Sequence, residues 1–275
     1  MTYKMIALDL DGTLNNDDHI ITPRTREALI AVQKKLGVTV VLASGRQAPG
    51  LKREADALDL AKYHGLLLSY GGGRIEDATT EAVLFSRSLK NELAVRFLRH
   101  LEKFSVSPVV DNGRAIVTTC AYNYKVQDES HNNNMDVLTV DNIADAIERA
   151  GVCPIKILTA AQNETLVPLM PYIREGFEDE MDFVQSAPWF YEGMAKGVSK
   201  SKSLARVCEQ LGIKPSEVMA FGDAQNDMSM LDFAGRGVAM GNACPELKEM
   251  ADEITLSNNE DGIAASLTRH FDFLN

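Results

Sequence analysis

The stretch MIALDLDGTLNNDD, residues 5–18, decides the fold. Its first half is apolar without interruption, and YKMIALD (3–9) reads as a strand buried on both faces, as in a parallel sheet covered by helices. Two aspartates, Asp9 and Asp11, close the run, and Gly12 lets the backbone turn away. Residues i and i+2 of a strand share a side, so the pair is expected to face one site. That site lies beyond the carboxyl end of the strand, where open α/β sheets bind ligands. Two carboxylates so close repel each other. Either a shared proton or a hard cation such as Mg2+, which prefers oxygen ligands, must offset the repulsion.

Downstream, Thr22-Pro23 opens a helix that runs through TREALIAVQKKL to a stop at Gly37. A second apolar strand, VTVVLAS (38–44), follows, so the order strand–helix–strand marks a parallel α/β sheet. LLLSYGGG (66–73) reads as a third strand, and RIED with AVLFSR as a short hairpin. The rhythm changes after about residue 87. There KNELAVRFLRHLEKF is helical, SPVVDN and RAIVTTC are strands about an Asn112-Gly113 turn, and the polar QDESHNNNMD reads as a loop. NIADAIERA is a helix, CPIKILTA a strand, ETLVPLMPYIREGF a helix broken by prolines, and MDFVQS a strand. Alternation returns with helix 199–211, strand VMAFGD (218–223), helix NDMSMLDFA, strand GRGVAM and a last helix after Asp261-Gly262. The expected organisation is a discontinuous α/β core, 1–87 and 188–275, interrupted by an α+β insertion, 88–187.

The composition suits an ordinary globular chain: 275 residues, 45% hydrophobic and 24% charged. No apolar run approaches the roughly 20 residues that span a bilayer. The N-terminus lacks the order of a signal peptide. Its four cysteines are scattered without a C-x-x-C pair, which disfavours a zinc or disulfide framework and suits a reducing, cytoplasmic setting. A net charge of −11 disfavours nucleic acid and anionic membrane as partners, yet leaves room for an anionic small substrate held by local cations.

The second half of the chain favours the metal. FGDAQND (221–227) repeats the strand-end arrangement, with Asp223 at the tip and Asp227 just beyond, which makes four acids at two strand ends. Mg2+ held by a few carboxylates and a substrate phosphate is a recurrent arrangement. Ser44, in SGR (44–46), ends the second strand and can donate to a phosphate oxygen. Lys200, in KGVSKSKSL (196–204), lies near a helix start, where backbone N–H groups also favour anions. Taken singly, each acid reads as a turn former or cap, and the lysine as a surface charge. A calcium loop fails because Gly12 comes too early and Ile20 stands where a bidentate Glu belongs. GRGVAMG (235–241) is a poor dinucleotide fingerprint because its last spacing is wrong.

In order along the chain, DLDGTL, SGR, Lys200 and GDAQND resemble the four motifs of the haloacid dehalogenase superfamily. GVAMGNA (237–243) and NNEDGIAASL (258–267) resemble its Cof-type, sugar-phosphatase-like branch. The stretch from Asp9 to Ser44 holds one loop and one helix, whereas that from Arg46 to Lys200 far exceeds a βαβ connection. A large cap therefore belongs between the second and third motifs, as in that branch. The resemblance implies a Rossmann-like core and a Mg2+-dependent phosphatase of small phosphorylated metabolites such as sugar phosphates. Asp9 would be the nucleophile and Asp11 the acid and base. Ser44, Gly45, Lys200 and Asn226 would contact phosphate, and Asp9, Asp11 (through its carbonyl), Asp223 and Asp227 would form the metal site. Two positions depart from the branch: Tyr70 stands where Asn is usual, and Ser201 where Gly is usual. A phosphomutase, a phosphatase dedicated to one sugar-phosphate glycoside, and a non-catalytic phospho-ligand sensor are the competing expectations.

Overall fold

The computed structural model describes residues 3–272. Its strands, in chain order, are β1 (Met5–Leu8), β2 (Thr39–Ala43), β3 (Leu66–Ser69), β4 (Arg74–Asp77), β5 (Val83–Ser86), β6 (Ser107–Asp111), β7 (Ala115–Thr118), β8 (Asp136–Thr139), β9 (Lys156–Ala160), β10 (Met181–Ala187), β11 (Phe190–Ala195), β12 (Val218–Gly222), β13 (Arg236–Ala239) and β14 (Glu253–Ile254). Among the described residues, 3–85 and 199–272 form one compact unit, and Ser86–Val198 form the other.

The first unit is built on a sheet of order β14-β13-β12-β1-β2-β3-β4-β5. β13, β12, β1, β2 and β3 run parallel, and β4 turns back antiparallel to β3. The apolar runs are continuous because both faces are covered. Ile6 and Leu8 join Val40, Leu42, Met219 and Phe221 in a cluster with the helices Pro23–Leu36 and Gly262–His270. Met5 and Ala7 face the other way, with Val41, Ala43, Val218 and Ala220, against the helices Lys200–Leu211 and Met228–Phe233. This period of two places Asp9 in line with Ala7, on the side where Lys200 begins its helix. Burial of each such Leu or Ile is worth roughly 1.5–3 kcal/mol, so these clusters rather than polar contacts hold the frame that carries the site.

The second unit is a sheet of order β10-β11-β9-β6-β7-β8, antiparallel except for β7 with β8. Helices Asn91–Leu101, Ile143–Ala150 and Asn163–Arg174 bury Phe97, Ile147 and Leu166 against one face. Three details differ from the sequence-based expectations. The insertion ends at Val198 rather than 187, because β11 pairs with β10 on one side and β9 on the other. QDESHNNNMD is largely a helix, Val126–Asn133, rather than a loop. Its inward residues are Val126, Glu129 and Asn133, so helical spacing is present but carried mostly by polar side chains. Pro168 and Pro171 do not break the helix Asn163–Arg174. Both are exposed, where water can satisfy the carbonyls that lose a partner. Among the described residues, no helix is long and apolar enough to cross a membrane.

Candidate active site

β1 ends at Leu8, and Asp9 is the first residue past it, tied back by its N–H to the Phe221 carbonyl at 3.1 Å. The chain then folds on itself: Leu14 N–H donates to the Asp9 carbonyl at 3.2 Å and Asn15 N–H to the Leu10 carbonyl at 2.9 Å. Parallel pairing of β1 with β12 brings Gly222 and Asp223 alongside. Asp227 follows on the 3-10 turn Gln225–Asp227, where its Oδ2 accepts from the backbone N–H of Asp223 (3.1 Å) and Ala224 (3.2 Å). Lys200 is the first residue of its helix, whose N-cap Ser199 accepts from Lys202 N–H.

These elements gather four charged side chains. Carboxylate oxygens of Asp9, Asp223 and Asp227 all lie within 4.8 Å of one another. The buried Lys200 Nζ donates to Asp9 Oδ1 at 2.5 Å and to Asp227 Oδ1 at 2.6 Å. Thr13 Oγ1 donates to Asp223 Oδ1 at 2.8 Å. Burial, then Asp227 and Asp223, push the Asp9 carboxyl well above the usual carboxylate range, while Lys200 pulls it down. Asp223 is pushed up to about 6, first by burial and also by Asp227, against the pull of the Thr13 hydrogen bond. Burial works against charge on Lys200, but Asp227 and Asp9 outweigh it and raise its pKa. Fully ionised, three carboxylates and one ammonium leave two negative charges in a desolvated place. A divalent cation would cancel them, and the all-oxygen donor set fits a hard ion such as Mg2+.

Asp11 lies apart from this cluster. Its side chain is 51% exposed and engages the Arg46 guanidinium in a fork, Nε to Oδ2 at 2.9 Å and Nη2 to Oδ1. The two aspartates thus divide, one buried and one open, because the ladder reaches only Asp9, through its N–H to the Phe221 carbonyl, and the chain turns from Leu10. Ser44 is buried at the end of β2, its Oγ accepting from Arg46 N–H at 3.2 Å. Gly45 stands beside it with nothing within 4 Å of where a Cβ would project. Asn226 is exposed on its turn. Tyr70 is buried with a left-handed φ of 54°, and its N–H reaches the Arg46 carbonyl at 2.8 Å. Ser201 shares a hydrogen bond with Ser199 at 3.1 Å. Thr13, Asn15 and Glu54 are further members of this region that the motifs did not single out. Only the T of DLDGTL hinted at Thr13.

Gly12 is required twice over. Its φ is +79°, and a Cβ there would stand 2.5 Å from Asp223 Oδ2. Gly12→Ala is therefore expected to cost about 1–2 kcal/mol of backbone strain and to displace Asp223. Activity should fall, which a phosphatase assay of both proteins measures.

The sequence profile of the haloacid dehalogenase-like hydrolases matches residues 6–267. The chain belongs to the haloacid dehalogenase-like hydrolase family. Among relatives, 5-amino-6-(5-phospho-D-ribitylamino)uracil phosphatase YcsE of Bacillus subtilis is 31% identical over 276 residues, covering 98% of this chain and 95% of that protein. A haloacid dehalogenase-like hydrolase from Bacteroides thetaiotaomicron has a crystal structure that superposes with a TM-score of 0.91 at 35% identity, covering 98% of this chain and all (100%) of that one. A subclass IIB sugar phosphatase of the same superfamily superposes at 0.80 with 26% identity, over 97% and 98% of the two chains. This haloacid dehalogenase-like hydrolase is a phosphatase enzyme, on a mixed α/β fold with a parallel-sheet core.

Proposed function

We propose that the chain is a Mg2+-dependent phosphatase of small phosphorylated metabolites, sugar phosphates or phosphorylated sugar-alcohol derivatives, working through an aspartyl-phosphate. The observation that carries this assignment is the buried Asp9 carboxylate, held by Lys200 at 2.5 Å among two further acids. The substrates named for the two phosphatase relatives support the substrate class.

Asp9 attacks phosphorus through a carboxylate oxygen as the bond to the leaving oxygen breaks. Asp11, open to solvent, enters the cycle in its acid form with a proton taken from water and gives that proton to the leaving oxygen. Asp11, now a carboxylate, takes a proton from water as that water attacks the phosphorus of the acyl phosphate. The bond to Asp9 breaks, phosphate leaves, and Asp11 is again protonated. Lys200 has three donors and uses two on Asp9 and Asp227, so a third can meet a transferring oxygen. Ser44 and the adjoining Gly45 N–H line the same strand end, and Asn226 reaches the phosphate from its exposed turn. Asp9, Asp223 and Asp227, with the Asp11 carbonyl, would hold Mg2+, which supplies positive charge that screens the repulsion between nucleophile and phosphate when bound.

Removal of divalent cations with EDTA should abolish hydrolysis of p-nitrophenyl phosphate, and Mg2+ should restore it. Asp223→Ala should need on the order of tenfold or more Mg2+ for half its maximal rate, or show no rate at all. Undiminished turnover in EDTA would remove the metal from the mechanism. A panel of phosphorylated metabolites would then rank the substrates.

A further inference from the structure

Glu54 sits in the short helix Lys52–Ala57 and is 1% exposed, although nothing in KREADA marks it as other than a surface acid. One of its oxygens, Oε1, accepts from Asn15 Nδ2 at 2.9 Å and from Arg53 Nη2 at 2.5 Å and Nε at 3.2 Å, and it faces Arg46 Nη1 at the ion-pair distance of 3.9 Å. The other, Oε2, is buried with no hydrogen-bond partner among the described residues, as is Asn15 Oδ1. A buried carboxylate with a bare oxygen costs free energy, and a fold that needed only packing here would do better with an apolar side chain. Sites that break such rules are where function is expected.

Two of these partners flank the loop that carries Asp11. Asn15 forms the β-bridge with Asp11 that closes the turn, and Asn258 Nδ2 pins the Asn15 carbonyl at 3.1 Å. Arg46 holds the Asp11 carboxylate itself in its planar fork, and Nη1 is steadied by the Gly50 carbonyl at 3.2 Å. The fork uses one lone pair on each Asp11 oxygen and leaves the others for proton exchange. Glu54 thus reaches Asp11 by two routes, through the guanidinium and through the loop.

We propose that Glu54 is a positioning residue of the phosphatase, fixing the Asp11 carboxylate through Arg46 and Asn15. This rests on the role given to Asp11 above. The consequence lies in the leaving group. A phosphate ester with a good leaving group needs little help from an acid, whereas a poor one depends on it, so misplacing Asp11 penalises the poor ester selectively. A residue that merely stabilised the fold would lower both rates alike.

The test compares 4-nitrophenyl phosphate with phenyl phosphate, two esters of similar size and different leaving group, in wild type, Glu54→Gln, Arg46→Lys, the double variant and Asp11→Asn. Each is first shown to be folded by circular dichroism. Glu54→Gln is expected to lose on the order of tenfold more kcat/KM, which reports only the steps up to departure of the leaving group, on phenyl phosphate than on 4-nitrophenyl phosphate. Arg46→Lys keeps the charge but loses the fork, and it should show the same selectivity. The double variant should lose little beyond the larger single effect, because both act on one group. Should Glu54→Gln fail to fold, Arg46→Lys and Asn15→Ala carry the same comparison. Equal losses on the two esters, alongside selective loss in Asp11→Asn, overturn the positioning role alone. A kcat/KM loss in Asp11→Asn that is equal on the two esters overturns the role of Asp11 as acid and the positioning role with it.

Discussion

Asp9→Asn is expected to abolish turnover while the chain stays folded. An amide cannot take the place of the carboxylate oxygen proposed to attack phosphorus, and loss of a covalent nucleophile lowers kcat by roughly 10⁴–10⁶. The same change should not harm the fold. Asp9 is buried within reach of Asp223 and Asp227, and burial and both neighbours disfavour its charge more than Lys200 favours it. Lys200 keeps its bond to Asp227 at 2.6 Å when Asp9 is replaced. In EDTA the variant should therefore melt at or above the wild-type temperature, the pattern of a group retained for chemistry at some expense of stability. Two measurements check this. Thermal melts compare the proteins in EDTA. Mass spectrometry of acid-quenched wild-type enzyme should find phosphate on the peptide containing Asp9. A melt far below wild type would make Asp9 structural, and phosphate only on another peptide would displace it as nucleophile.

Much of this site was legible because its chemistry is written at strand ends. The runs before Asp9 and Asp223 are short, apolar and buried on both faces, so both tips could be placed from sequence, and the contact of Asp9, Asp223 and Asp227 follows from pairing β1 with β12. What remained hidden depends on tertiary partners. FYEGMA did not stand out as a strand of the insertion because it carries Glu192, whose buried carboxylate is matched by Lys156 at 2.8 Å across the sheet. The helix Val126–Asn133 turns polar groups inward, with Asn133 Nδ2 closing on the Glu129 carbonyl at 2.8 Å, so its periodicity has almost no hydrophobic signal. Glu54 is one acid among several in a charged helix, and only the approach of Arg46 and Asn15 sets it apart from Asp56, whose ion pair with Lys52 is at 3.9 Å on the open surface. Asp11 was expected beside Asp9, and the turn that begins at Leu10 sends it to Arg46 instead.

Lys200→Met separates the two tasks proposed for this lysine, pairing with Asp9 and Asp227 and donating to phosphate. Its side chain is 2% exposed and its two partners are 9% and 0% exposed, so the pairs are shielded from solvent. Removing one partner of a buried ion pair leaves uncompensated charge and costs about 3–5 kcal/mol. Methionine fills similar space without the charge, so the loss is electrostatic rather than a cavity. For a unit of this size that corresponds to a fall in Tm of roughly 6–20 °C in EDTA. Mg2+ should then recover more stability in the variant than in wild type. The three carboxylates remain to bind it, the neighbouring cation that competes with it is gone, and any ligand bound only by the folded state stabilises that state. The rate should not return with the stability. The donor proposed to meet the transferring oxygens is absent whatever the metal does, and loss of one such donor costs about 10²–10³ in kcat. The experiment follows Tm and kcat together across a Mg2+ titration. If kcat climbs back to wild type as Tm recovers, Lys200 is only a counter-ion for Asp9 and Asp227. If Tm recovers while kcat stays low, the ammonium acts on the phosphate itself.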